Sequence, residues 1–400
     1  MLIRERYLKK IRPFYNVENI IKILYGMRRS GKSVIMHQIA DELIKSGVSK
    51  NNIIYINFES IEFDDIKTAE QLYKYIIEKT TEGNINYVFL DEIQRIENFE
   101  HAVNSLRITE KYSLFITGSN SKMTFSELSE ELSGRYVSFR INPLSFSEAA
   151  EYTGTAETDR EKLLFDIFEW GSLPQRFSFT DKTAADTYIS DVYDSIILKD
   201  VVGRMGIKDM TLFSLILQYV LETEGREFSA NNITNYLLSN YRKVSPETIY
   251  NYLDALCSSF IINKIYRYDL RGKAVMKTLN KYYATDLGIK RIRSGNKDVN
   301  YSICLENTVC NDLLNKGYTV NIGHTDKGEL DFVASDSTDK KYIQVCYSMS
   351  DEKTAQRELS AFRGIDDGYD KYIITLDRTA KSKNGIKIIN AIDFLMEDKF

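Results

Sequence analysis

The order of apolar and polar positions gives this chain three successive textures. In the first 120 residues, short apolar runs end in polar groups: residues 20–25, "IIYINFES" (53–60), Tyr87 to Leu90 running into Asp91 and Glu92, and "YSLFITGSN" (112–120). Runs of that length and continuity predict buried strands of a parallel sheet. From about 148 to 225 the spacing changes to three and four residues, as in "EKLLFDIFEWGSLPQRF" and "TYISDVYDSIILKDVVGRMGI", which predicts helices, with a break at Trp170, Gly171, Leu173 and Pro174. Ser229 then opens one predicted helix, and Ser245 with Pro246 opens a second with Ile249, Leu253 and Leu256 on one face. "FIINKIYRYDL" and "KYYATDLG" follow as strands, and the remainder reads helix, strand, hairpin, strand. In "YIQVCYS" (342–348), alternation puts Ile343, Val345 and Tyr347 on one face and Tyr342, Gln344, Cys346 and Ser348 on the other.

Composition changes this picture in three ways. Four hundred residues, 43% of them hydrophobic, can bury more than one core, so two or three domains are expected. Cys257, Cys304, Cys310 and Cys346 lack both metal-site spacing and disulfide density, and no run of about eighteen apolar residues occurs. A reduced, cytoplasmic protein with no membrane partner is expected. The net charge of −4 hides local contrast: residues 226–293 hold twelve basic residues against five acidic ones. Arg242, Lys243, Arg267, Arg271 and Lys273, with Tyr250, Tyr252, Tyr266 and Tyr268 among them, suit phosphate contacts and stacking on bases.

The chemistry concentrates near the amino terminus. Gly26 to Ser33 reads G-x-x-x-x-G-K-S between a strand and an amphipathic helix, the pattern of a phosphate-binding loop. Backbone N–H groups across Gly26, Met27, Arg28, Arg29, Ser30, Gly31, Lys32, Ser33 and Val34 are expected to cradle ATP, with Lys32 on the β- and γ-phosphates and Ser33 on Mg2+. Asp91 is the second expected magnesium ligand, and Glu92 is expected to orient or deprotonate the attacking water. Ser119 or Asn120, at the end of the next strand, is the candidate γ-phosphate sensor, with a polar turn as the alternative reading.

"LYGMRRSGKS", "YINFES", "VFLDEIQRI", "FITGSNS" and "ELSGRYVSFRINPLSFSE" resemble the prokaryotic AAA-type P-loop ATPases that carry an uncharacterised restriction-endonuclease-like domain at the carboxy terminus. The resemblance spans nearly the whole chain. It implies an α/β protein: a P-loop NTPase sheet of the ASCE/AAA type (1–147), a helical lid (148–225) and a PD-(D/E)xK-like α/β domain (294–400), while the helix, turn, helix and strands of 226–293 read from their own pattern as a winged-helix domain, for DNA contact or, alternatively, as a protein-interaction module or rigid spacer. It implies that Arg135 is an arginine finger, acting in its own subunit or in a neighbour of a homo-oligomer, with a salt-bridge or surface role as the alternative. It places Glu306, Asp331 and Gln344 where such nucleases hold magnesium. Cys346 stands in the place of the lysine, so a nuclease fold without nuclease activity is expected; Lys353 or Arg357 reaching in from the following helix is the alternative. His324 reads as a loop residue. Three functions are weighed: an ATPase coupling its nucleotide state to DNA binding, a nucleotide-gated switch for a protein partner, and an ATP-regulated metal-dependent nuclease.

Overall fold

Strands β1 (Ile21–Tyr25), β2 (Ile53–Asn57), β3 (Asn86–Asp91), β4 (Tyr112–Gly118) and β5 (Tyr136–Arg140) form one sheet in the order β2-β3-β4-β1-β5, with every neighbouring pair parallel. The computed structural model describes residues 2–118, 132, 134–203, 206–239, 243–272, 274–294, 299–325, 328–378 and 382–398, without the side chains of Lys277 and Thr278. These residues form two units, 1–143 with 258–260, and 144–257 with 261–400. The first division falls four residues before the expected 147/148 boundary.

Alternation along the central strands explains why both faces of the first sheet are apolar. Ile21, Ile23, Val88, Leu90, Leu114 and Ile116 share one face with residues of α3 (Ala69–Lys79) and α4 (Phe99–Ile108), among them Leu72, Ile76, Val103 and Leu106. Leu24, Tyr87, Phe89 and Phe115 form the other, against Leu8 and Ile11 of α1 (Glu5–Ile11) and Ile35, Met36 and Ile39 of α2 (Lys32–Lys45). One cation interrupts the pattern. Lys22 is fully buried, and its ammonium donates to Val17 O (2.8 Å), Ile20 O (3.1 Å) and Ser113 Oγ (2.7 Å), which uses all three of its protons. Burial pulls its pKa down to about 7.

The second unit opens with helices α5 (Phe146–Thr153), α6 (Arg160–Trp170), α7 (Lys182–Ile196) and α8 (Met210–Glu222), the region expected to be helical. A π-helical segment, Ile197–Val202, extends α7. Next come α9 (Ala230–Ser239), α10 (Pro246–Ser258) with the Ser245 hydroxyl accepting from Thr248 N–H at 3.1 Å, and the hairpin β6 (Ile262–Asp269) and β7 (Ala274–Ala284). After α11 (Leu287–Arg293), the chain forms α12 (Tyr301–Lys316), β8 (Thr319–Thr325), β9 (Gly328–Ser335), β10 (Lys340–Cys346), α13 (Glu352–Ser360), β11 (Asp370–Thr375), β12 (Ile386–Asn390) and α14 (Ala391–Met396).

One expectation is corrected here. β6 pairs antiparallel with β7 on one side and parallel with β8 on the other, so one seven-stranded sheet runs β12-β11-β10-β9-β8-β6-β7. The expected boundary at 293/294 therefore cuts through a continuous hydrogen-bonded ladder. Among the described residues, no helix is long and apolar enough to cross a membrane.

Candidate functional site

β1 enters the phosphate loop through Gly26. Its φ is +142°, and a Cβ there would lie 2.1 Å from Ile141 O, so both backbone conformation and space require glycine. Gly31, at φ +100°, is the residue before α2, and Lys32 is the first residue of that helix. The first N–H groups of a helix have no carbonyl behind them, so this turn presents donors to an anion. Lys32 Nζ donates to Gly26 O (3.1 Å) and Met27 O (3.0 Å), and so lies along the loop itself. Met27 and Ser30 are buried, and the Ser30 hydroxyl is without a hydrogen-bond partner. Arg28 and Ser33 are half-buried, whereas Arg29 (φ +64°) and Val34 are exposed.

Arg4 braces this loop, a role that nothing in the sequence pattern announces. It is 2% exposed, its Nη1 donates to Ser30 O (2.8 Å) and Asn142 O (3.1 Å), and its Nη2 reaches Pro143 O at 3.4 Å. A planar fork can bridge carbonyls from separate segments in this way, where a lysine would act as a single point.

The acidic partner lies across β4. Leu24 pairs with Thr117, and Leu90 with Ile116, so Asp91 stands two strands from β1 at the height where the phosphate loop begins. At about 4.8 Å per strand, that separation is roughly 10 Å between backbones, the space that a phosphate and its metal require. Both oxygens of buried Asp91 are held: Thr117 Oγ1 donates to Oδ1 at 2.5 Å, and Tyr55 OH donates to Oδ2 at 3.3 Å. Thr117 also accepts from Glu92 N–H at 2.9 Å, at a position where Glu92 takes a left-handed φ of +56°. Gln94 Nε2 donates to Glu92 Oε2 at 2.5 Å. Tyr55 stacks on His37 of α2 with centroids 4.3 Å apart, and burial, then Asp91, holds its phenol well above the ordinary tyrosine range. Neither Thr117 nor Tyr55 is among the residues expected from sequence; Thr117 is a polar residue at the carboxyl end of an apolar run, whereas Tyr55 lies in the middle of β2 and carries no such signal. Ser119 and Asn120 lie outside the described residues.

The strand register fixes the place of Arg135. Ile21 pairs with Tyr136 and Tyr25 with Arg140, so Arg135 precedes β5 at the end of the sheet opposite the phosphate loop. Five residues at about 3.3 Å each give roughly 16 Å, far beyond the reach of an arginine side chain. The intramolecular alternative is therefore removed; Arg135 Nη1 donates to Asn104 Oδ1 at 3.4 Å on its own end of the sheet.

A second charged cluster occupies the carboxy-terminal sheet. Asp331 and Gln344 do meet: Asp331 N–H donates to Gln344 Oε1 at 3.2 Å, and Val345 N–H donates to Asp331 Oδ2 at 2.8 Å. Gln344 Nε2 donates to Glu358 Oε2 at 2.8 Å. Burial, then the Glu306 carboxylate, raises the Asp331 pKa well above the ordinary range. Cys346 lies at the apolar margin of that cluster, near Glu358. Its thiol packs with Leu330, Val333, Tyr342, Phe362 and Ile373 and donates to Ser348 O at 3.0 Å, and burial pushes its pKa up to about 11. Of the two alternative cations, Lys353 is exposed, whereas Arg357, itself exposed, pairs at 2.6 Å with the buried Glu358 to which Gln344 donates, and so meets the edge of the cluster. The cation buried among the acids is Lys281 of β7, paired with Glu306 at 3.4 Å and more closely with Glu329. By charge count alone it is one of the twelve basic residues of 226–293. His324, expected in a loop, instead lies within β8, opposite Glu329.

The same pairing thins the expected basic face. Arg267 pairs with Glu227 inside the 226–293 window, while Lys290, Arg291 and Arg293 pair with Glu224, Asp186 and Asp194 from outside it. Lys243 and Arg271 are exposed, as are Tyr250 and Tyr266; Tyr252 is buried. Arg242 and Lys273 lie outside the described residues.

Comparison with known proteins agrees with the nucleotide site. Residues 18–150 match a family described as an AAA domain, and residues 161–299 match one described as a domain of unknown function, DUF8612. An uncharacterized protein of Haemophilus influenzae is 35% identical over 99% of this chain and 99% of its own. Another, from Methanocaldococcus jannaschii, is 28% identical over 86% of this chain and 78% of its own. Among solved structures, the Walker-type ATPase PABY2304 of Pyrococcus abyssi is 15% identical, covering 73% of this chain and 95% of that one at a TM-score of 0.49. With a phosphate loop, a facing acidic strand and a relative matched from end to end, the chain belongs to the family of that Haemophilus influenzae protein, and its amino-terminal unit is a nucleotide-binding AAA domain of the P-loop ATPase type.

Proposed function

We propose that the chain is a magnesium-dependent ATPase whose nucleotide state controls DNA binding by residues 226–400. The observation that carries the catalytic part is the alignment across β3, β4 and β1, which puts the doubly held Asp91 level with the start of the phosphate loop. The residues suit the group they would hold: a glycine that tolerates no Cβ, a helix α2 that begins without a side-chain cap, and a lysine lying in the loop. Ser33 and Asp91 would hold magnesium, which supplies charge neutralisation between the β- and γ-phosphates. Lys32 moves from the loop carbonyls onto phosphate oxygens. Glu92, positioned by Thr117 and Gln94, takes a proton from the attacking water. Asn120 remains the sensor proposed from sequence, and Arg135 acts on the nucleotide of a neighbouring subunit in a homo-oligomer.

Lys32→Ala is expected to abolish ATP binding, and Glu92→Gln to keep binding while hydrolysis falls by 100-fold or more, on the order of the loss of a catalytic base. Glu92→Gln hydrolysing at the parent rate overturns the assignment.

For the second half, exposed Lys243, Tyr250, Tyr266 and Arg271 support DNA contact. The internal ion pairs of Lys281, Lys290, Arg291 and Arg293 favour the second reading, a nucleotide-gated switch for a protein partner. DNA binding that weakens steeply with salt decides for the first, because each phosphate contact releases counterions.

A further inference from the structure

The acid cluster of the carboxy-terminal sheet contains a cation that belongs to the chain itself. Lys281 is 2% exposed, although it comes from β7 in the hairpin preceding α11, not from β10. Its Nζ lies 3.4 Å from Glu306 Oε1 on α12 and forms a closer pair with Glu329 on β9. Two residues further along β7, Tyr283 OH donates to the same Glu306 oxygen at 2.6 Å. Tyr283 is fully buried, with its ring 5.7 Å from that of Phe332 on β9. The groups expected to hold a divalent ion are therefore already engaged. Glu306 is held by an ammonium and a phenol, Asp331 accepts from Val345 N–H, and Gln344 accepts from Asp331 N–H while donating to Glu358. Among the described residues, no group of three or more His, Cys, Asp or Glu side chains is arranged to hold a metal.

We propose that the Lys281 ammonium is the resident cation of this cluster, taking the place of a divalent ion and fastening β7 to α12 and β9. The reason is electrostatic. Glu306, Glu329 and Asp331 lie together at the sheet, and acids removed from water need a counter-charge. A divalent ion must be drawn from solution and partly stripped of its water, whereas a lysine tethered to the adjoining strand is always present at high effective concentration. Its three N–H groups can serve several carboxylates at once without the fixed angles of metal coordination. The cluster thereby becomes a clasp between β7, α12 and β9. This inference does not depend on the nucleotide site.

The test is calorimetric titration of the full chain with Mn2+ in the absence of nucleotide, for the parent, Asp331→Asn, Lys281→Met and Lys281→Met/Asp331→Asn, with melting temperatures measured with and without the ion. The parent and Asp331→Asn should give indistinguishable titrations. Lys281→Met should acquire one additional Mn2+ site per chain and a melting temperature that rises with Mn2+, and the double variant should lose both. Lys281→Arg, which keeps the charge, should remain indifferent to Mn2+. If Lys281→Met fails to fold while Lys281→Arg folds, the need for a cation is shown directly. Mn2+ binding by the parent that Asp331→Asn removes overturns the proposal, as does a folded Lys281→Met with no added site and no response to the ion.

Discussion

Thr117 joins two acids with one hydroxyl. It donates to the Asp91 carboxylate and accepts from the Glu92 N–H, so it fixes the proposed metal ligand and the start of the proposed base together. Groups behind a metal ligand typically contribute 10–100-fold to affinity or rate. Thr117→Val, which keeps the shape and removes the hydroxyl, is expected to lower ATPase turnover by about 10–100-fold and to raise the magnesium needed for half-maximal rate. Thr117→Ser should recover most of the loss, and Tyr55→Phe, with its longer 3.3 Å bond, should cost less. Lys22 offers a test that is independent of activity. Its folded pKa of about 7 lies below the ordinary lysine value, so the fold prefers the neutral amine. Stability from this group is complete above the unfolded pKa of about 10.4 and is lost as pH falls toward 7. Lys22→Met removes that dependence, so its melting temperature relative to the parent should be most favourable near about pH 7 and least so near about pH 10.

Asp286 shows how one side chain can secure several elements. It precedes α11 and accepts from Gly288 N–H (3.0 Å), Ile289 N–H (3.4 Å) and, at 2.7 Å, Ser172 N–H in the loop after α6. Asp286→Ala leaves these buried donors without partners and should cost about 2–4 kcal/mol in denaturant unfolding. Asp286→Asn, which keeps one acceptor oxygen, should cost less. Local signals of this kind were legible in the sequence where the cause is local. Strands β1 to β4 were marked by apolar runs with polar ends, the phosphate loop by its glycines and lysine, and α10 by Ser245 and Pro246. β5 was not, because it is half-buried along its length and "YVSFR" has no continuous apolar run. Long-range choices left no local trace. Nothing in "FIINKIYRYDL" says that β6 will pair with β8, and nothing in "NKYYATD" says that Lys281 will meet Glu306 rather than solvent. The distance of Arg135 from the phosphate loop became readable only when the register of β1 and β5 was known.

For the whole molecule, the balance between paired and exposed cations decides what the second unit can grip. Twelve basic residues in one window read as a nucleic-acid face, but those paired with Glu224, Asp186 and Asp194 have already spent much of their field. Lys243→Gln and Arg271→Gln are each expected to reduce the slope of log affinity for DNA against log salt by about 0.9, with little change in melting temperature. Arg293→Gln should do the reverse, lowering thermal stability while leaving the salt slope unchanged. The shared ladder of β6 and β8 also constrains how the protein can be dissected. Ending the chain at 293 would strip the partner from Tyr266 to Asp269 and leave a raw strand margin, open to pairing with any other copy. The fragment would be drawn toward aggregates, so any shortened chain that keeps β6 must also keep β8.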